Sequence, residues 1–178
     1  VLGVRHEAEH IAATAHDSGN VVDRAVRIGP CGIAEHNLAL ALKGVRDEVR
    51  QRLTEAGATV VDSAAEVGAA AQIILCCMFS DAQLRAVTLG DDGLLAHCAP
   101  GTVVASHTTG SVSTVRELAD AAPDVTILDA PVSGTAEDIA NGRLTVLVGG
   151  PDDAVESVAA VVGAYASAVL RTGGLGTA

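Results

Sequence analysis

Residues 127–150 read ILDAPVSGTAEDIANGRLTVLVGG, and the reading of this stretch decides the fold. It opens inside a short apolar run, 125–128, which reads as a strand and breaks at Asp129, Ala130 and Pro131. Proline has no amide to give to a ladder, so the strand ends there and presents its carboxyl end. In open α/β sheets, ligands sit outside the carboxyl ends of strands. Ser133 offers a hydroxyl at that place, and Gly134 lets a ligand come close to the backbone. A short polar helix and a second apolar strand over 144–148 follow, closed by Gly149 and Gly150.

Composition bounds what such a sheet can belong to. With 178 residues the chain has the length of one domain, and 49% apolar residues supply a core. Aromatic residues make up 1%, so that core is built from Ala, Val, Leu and Ile, as in a parallel sheet covered by helices. A net charge of −11 argues against nucleic acid as a partner, because phosphates are repelled. It does not exclude a phosphate-bearing cofactor, which backbone N–H groups at a helix start hold locally. The four cysteines lack paired metal-ligand spacing, and Cys76 and Cys77 lie in an apolar run where buried free thiols are expected. No signal-peptide pattern and no long apolar span is present, which predicts a reduced, cytoplasmic protein without a membrane segment.

The middle of the chain alternates helix and strand signals. Val45, Val49, Leu53 and Ala56 recur at helical spacing, with Gly57 as the stop. Residues 59–61 read as a strand, Ser63 as the cap of a helix over 64–71, and 73–78 as a buried strand. A helix over 81–88, a strand over 102–105 and a helix over 111–122 ended by Pro123 come next. A last helix over 151–165 turns Val155, Val158, Ala159 and Val162 inward, and Val169 and Leu170 form a short strand. This predicts a Rossmann-type, doubly wound α/β fold: a mostly parallel sheet with helices on both faces.

The segment DAPVSG, with Ile139, Gly142 and Leu144 after it and then the paired glycines, resembles the substrate-binding segment of the β-hydroxyacid dehydrogenases. That family includes 3-hydroxyisobutyrate dehydrogenase and 6-phosphogluconate dehydrogenase. The resemblance runs from about residue 45 to the end of the chain. It implies an NAD(P)-dependent oxidoreductase acting on a small hydroxyacid or aldehyde acid, with Ser133, Gly134 and Thr135 at the substrate. Thr135 stands where the family usually has glycine. Met78 and Phe79 occupy the place of a family loop whose backbone contacts the cofactor, Phe79 replacing a proline. Thr109 falls near the nicotinamide ribose. His107 matches an apolar family position, so a buried, hydrogen-bonded histidine is the preferred reading over a general acid.

The resemblance also implies that residues 1–165 are the nucleotide-binding domain and that 166–178 lead toward a helical domain bearing the catalytic lysine. The single lysine here, Lys43, matches no family position. A homodimer would form through that helical domain. The competing reading is a non-catalytic Rossmann module that binds nucleotide weakly or serves as a partner domain. DAPVSG speaks against the imine reductases, which share the architecture.

Residues 1–27 carry two readings. In the first, a helix follows a dinucleotide loop, with Gly3, Val4, Arg5 and Ala8 under the pyrophosphate, and the second strand ends at Arg27. Asp23 stands about 20 residues after Gly3, the spacing of an acid that favours NAD. The family register puts Arg27 at the strand end instead, which with Arg24 favours NADP and leaves NAD as the alternative. In the second reading, His6, His10 and His16 form a zinc site, because HEAEH is a literal H-E-x-x-H that needs a helix. Ala13 replaces the glycine that turns the chain in metzincins, so a solvated helix face is preferred to a metal. Residues 28–44 read as an insertion or a divergent second strand, with Leu and Ala alternating over 38–42.

Overall fold

A computed structural model describes residues 2–4, 10–14, 37–41, 51, 54–55, 58–135, 137–138 and 141–178. The strands are β1 (Leu2–Val4), β2 (His10–Thr14), β3 (Asn37–Ala41), β4 (Ala58–Val61), β5 (Ile73–Cys76), β6 (Val103–Ser106), β7 (Thr126–Asp129), β8 (Val132–Ser133), β9 (Leu144–Gly149) and β10 (Ala166–Gly173). The helices with described bounds are α1 (Ala64–Ala70), α2 (Asp81–Thr88), α3 (Val112–Ala121) and α4 (Asp152–Val162), with a 3₁₀ turn at Leu95–His97. The sheet order is β10-β9-β7-β6-β5-β1-β2-β3-β4, with β8 paired to β9. Strands β3, β4, β6 and β7 join the sheet through parallel pairs, and antiparallel pairs enter at β1, β8 and the β7–β9 step. This is the expected Rossmann-type α/β architecture.

Alternation along the buried strands explains why helices cover both faces. In β5, Ile73 and Leu75 turn to one face, where they join Val146, Val148 and the α4 residues Val155, Val158 and Val162. Ile74 and Cys76 turn to the other, against Val67 of α1, Leu84 of α2 and Leu118 of α3. Local signals set the helix starts. The Ser63 hydroxyl accepts from the Glu66 amide at 3.2 Å, capping the first turn of α1, and donates to the Glu66 carboxylate at 2.7 Å. Ser80 caps α2 by accepting from the Gln83 amide at 3.3 Å.

The beginning of the chain departs from expectation. Gly3 and Val4 lie inside β1, antiparallel between β2 and β5, rather than in a phosphate-binding turn. Residues 10–14 form β2, not a helix, so His10 does not share a helix face with another imidazole. Short apolar runs such as HIAAT carry no decisive period, and here pairing with β3 and β5 decides in favour of a strand. Arg5, His6, Ala8, His16 and Arg27 lie outside the described residues. Within 28–44 the divergent strand is realised as β3, between β2 and β4. The helix expected over 45–57 falls mostly outside the described residues, and Gln51, Thr54 and Glu55 are helical. At the other end, β10 is an eight-residue strand parallel to β9, so the sheet continues past residue 165. No helix among the described residues is long and apolar enough to cross a membrane.

Candidate functional site

Three parallel strands end level with one another: Cys76 of β5 pairs with Ser106 of β6, and Ser106 with Asp129 of β7. The segments that follow therefore leave the sheet side by side. Short bonds tie them together. The His107 amide donates to the Cys76 carbonyl at 2.7 Å, and the Ala130 amide to the Ser106 carbonyl at 2.7 Å. The Met78 amide donates to the Thr108 hydroxyl at 3.0 Å in buried surroundings. Thr108 itself is buried, so this bond satisfies an amide that water does not reach.

A cleft opens at these strand ends. Thr109, Asp81, Ser111, Asp129, Pro131 and Gly176 line it, beside the apolar side chains of Leu84, Val112 and Val115. Ser111 starts α3 without a side-chain cap of its own. The Asp81 carboxylate takes that part, accepting from the Ser111 amide at 3.2 and 3.1 Å. The Ser111 amide, with further hydrogen bonds from Ser111 and Thr114, holds the Asp81 carboxyl below the ordinary carboxylate range. Asp129, buried at the end of β7, accepts from the amides of Gly176 at 2.9 Å and Ala178 at 2.7 Å. It thereby folds the glycine-rich end of the chain onto the cleft. Gly149 keeps room for this: a side chain there would begin 2.6 Å from the Gly174 carbonyl oxygen.

The predicted residues divide into two groups. Thr109 lines the cleft, and Met78 is joined to Thr108 beside it. Phe79 follows Met78 with 61% of its surface exposed, its amide donating to Gln83 Oε1 at 3.0 Å. Ser133, Gly134 and Thr135 are exposed and lie outside the cleft lining, which takes Asp129 and Pro131 from their segment. Ser133 belongs to β8, paired with Thr145, rather than to a turn. Gly134 has φ 147°, a region that favours glycine. The Thr135 hydroxyl donates to Asp138 Oδ2 at 2.7 Å, and the Thr135 amide to the same oxygen at 2.9 Å. Thr135 thus caps the turn at 137–138, and its hydroxyl, then its amide, lowers the Asp138 pKa.

His107 is buried and bonded at both nitrogens, Nδ1 to the Ala130 carbonyl at 2.5 Å and Nε2 to the Tyr165 hydroxyl at 2.6 Å. A carbonyl only accepts, so Nδ1 carries the proton and Nε2 accepts from Tyr165. Desolvation lowers its pKa to about 4 against the pull of the Ala130 bond. Burial likewise pushes the Tyr165 phenol above its ordinary value. Asp81, Asp129, Thr108 and Tyr165 escaped the sequence reading. Asp81 could have been found beside the cap residue Ser80, whereas nothing local marks a tyrosine 58 residues from its histidine.

Known proteins resemble this chain in sequence and fold. An uncharacterised oxidoreductase of Mycobacterium tuberculosis is 39% identical over 142 residues, 78% of this chain and 48% of that protein. L-threonate dehydrogenase of Escherichia coli is 40% identical over 131 residues, 70% of this chain and 43% of that protein. The crystal structure of 3-hydroxyisobutyrate dehydrogenase from Salmonella typhimurium superposes with a TM-score of 0.76 at 27% identity, over 96% of this chain and 58% of that one. The chain thus spans about half the length of the relatives it matches. Residues 31–174 match the model of the NAD binding domain of 6-phosphogluconate dehydrogenase, and the chain belongs to that family.

Proposed function

We propose that this chain is the nucleotide-binding part of an oxidoreductase that moves a hydride between nicotinamide and a small hydroxyacid or aldehyde acid. The level ends of β5, β6 and β7 carry this reading, because they bring Met78, Thr109 and Pro131 to one place. Hydroxyl groups beside apolar Leu84 and Val115 suit a heteroaromatic ring joined to a sugar. Thr109 would face the ribose, with Met78 and Phe79 beside it. When bound, the nicotinamide supplies the hydride chemistry, and the protein positions it and excludes competing reactions. Ser133 and Gly134, exposed beyond Pro131, would hold the substrate carboxylate. The Thr135 hydroxyl, engaged by Asp138, contributes by fixing the turn rather than by touching substrate.

The residues assigned to the pyrophosphate and to the choice between NADP and NAD are Gly3, Val4, Arg5, Ala8 and Arg27. Gly3 and Val4 run as a strand, so no step is built on them. We favour NADP on the strength of Arg27 in the sequence. Free thiols at Cys76, Cys77 and Cys98 support a reduced compartment, the cytoplasm, as its setting. A homodimer would be built by parts of the protein beyond the nucleotide domain. Titration with NADPH and NADH, followed by nicotinamide fluorescence, tests the reading. Saturation below millimolar concentration, tighter for NADPH, is expected. No binding of either at millimolar levels, roughly the −4 kcal/mol scale, favours the non-catalytic module.

A further inference from the structure

His107 is buried, and neither of its ring nitrogens is free to exchange a proton with a ligand. Its place in the chain is telling. It directly precedes Thr108 and Thr109, which line the cleft and of which Thr109 is assigned to the nucleotide. Its Nδ1–H bond goes to the carbonyl of Ala130, the residue that directly precedes Pro131 and the substrate-facing segment. Its backbone amide is tied to the end of β5, just before Met78. Tyr165, in the turn between α4 and β10, completes the arrangement: its hydroxyl donates to Nε2, and the two rings meet edge to face with centroids 5.9 Å apart and an interplanar angle of 82°.

We propose that His107, oriented by Tyr165, is a positioning residue that sets the spacing between the nucleotide-facing segment at Thr108 and Thr109 and the substrate-facing segment at Ala130 and Pro131. This rests on the functional reading above. An apolar side chain at position 107 could fill the same space but would leave the Ala130 carbonyl and the Tyr165 hydroxyl without these partners. The two segments would then lose their side-chain cross-link and keep only backbone ties, the β6–β7 ladder and the Ala130 to Ser106 bond. The ionisable groups on the neighbouring elements are Cys76 at the end of β5 and Cys77 after it, Asp129 at the end of β7, and Tyr165. Asp129 is held by the Gly176 and Ala178 amides, and burial raises the Cys76 thiol to about 11. The neutral Nδ1–H form of His107 is therefore the working form.

The test uses the 178-residue chain, three variants and two readouts. Histidine ¹⁵N chemical shifts should show the Nδ1–H tautomer of His107, with no titration between pH 5 and pH 8. In nucleotide titrations, His107→Leu should weaken NADPH binding about tenfold, the loss expected for one bridging hydrogen bond. His107→Gln, whose amide can donate to Ala130 and accept from Tyr165, should recover binding to within about threefold of the starting protein. Tyr165→Phe, which removes a single hydroxyl, should fall between the two and guards against a His107→Leu variant that fails to fold. If the starting protein binds NADPH and both His107→Leu and Tyr165→Phe bind it equally well, the positioning role is overturned while the functional reading stands. A His107 that titrates near pH 6.5 overturns the bridge itself. Failure of the starting protein to bind NADPH overturns the functional reading and this role with it.

Discussion

The Met78 amide and the Thr108 hydroxyl, 30 residues apart in sequence, are joined by a buried hydrogen bond of 3.0 Å. This bond couples the segment after β5 to the segment after β6 at the point where the candidate site begins. Thr108→Val keeps the shape but leaves the amide unpaired, which should cost about 1–3 kcal/mol. Thr108→Ser should be close to neutral. Denaturant unfolding of both variants measures the difference.

The Asp129 carboxylate holds two amides of the chain's last residues. Asp129→Ala should release them, speeding hydrogen exchange at Gly176 and Ala178 by about tenfold or more while leaving the amides of β6 protected. Equal exchange in the two proteins would show that the carboxylate does not hold the tail.

Gly149 is a packing test of the same region. A Cβ there would sit 2.5 Å from Asp129 Oδ1 and 2.6 Å from the Gly174 carbonyl oxygen. One of these contacts is backbone and the other a carboxylate pinned by two amides, so neither yields easily. Gly149→Ala should destabilise by about 1–3 kcal/mol in thermal or denaturant melts.

His107 predicts a direction for pH. Its folded pKa of about 4 lies below the ordinary 6.5, so the unfolded chain takes up the proton first as pH falls. The contribution is complete above pH 6.5 and is lost progressively between 6.5 and 4, by about 3 kcal/mol in all. Unfolding curves at pH 7 and pH 5 should show this slope in the starting protein and lose this part of it in His107→Gln.

Much of the architecture was legible because its signals are local. The apolar runs over 73–78 and 144–148, the cap at Ser63 and the break at Pro131 all mark elements where the structure has them. The DAPVSG segment placed the carboxyl end of β7 correctly. The failures share a physical cause. HIAAT is too short to declare a period, and its pairing with β3 and β5 is a long-range fact. Ser133 belongs to a two-residue strand that only its partner β9 defines. β10 begins with Ala166 and Ser167, weak strand formers, and is drawn into the sheet by β9. In the site, Thr109 and the buried character of His107 could be read, but the partners of His107 and Asp129 lie 23 to 58 residues away and leave no local trace.

A nicotinamide nucleotide is proposed to bind where β5, β6 and β7 end. Backbone amide NMR of the chain during NADPH titration tests it most directly. Saturable shift changes should concentrate at Met78, Phe79 and residues 108–111, with the amino-terminal ends of the same strands, such as Val103 and Thr126, unmoved. Shift changes confined elsewhere, or none at millimolar NADPH, would contradict it.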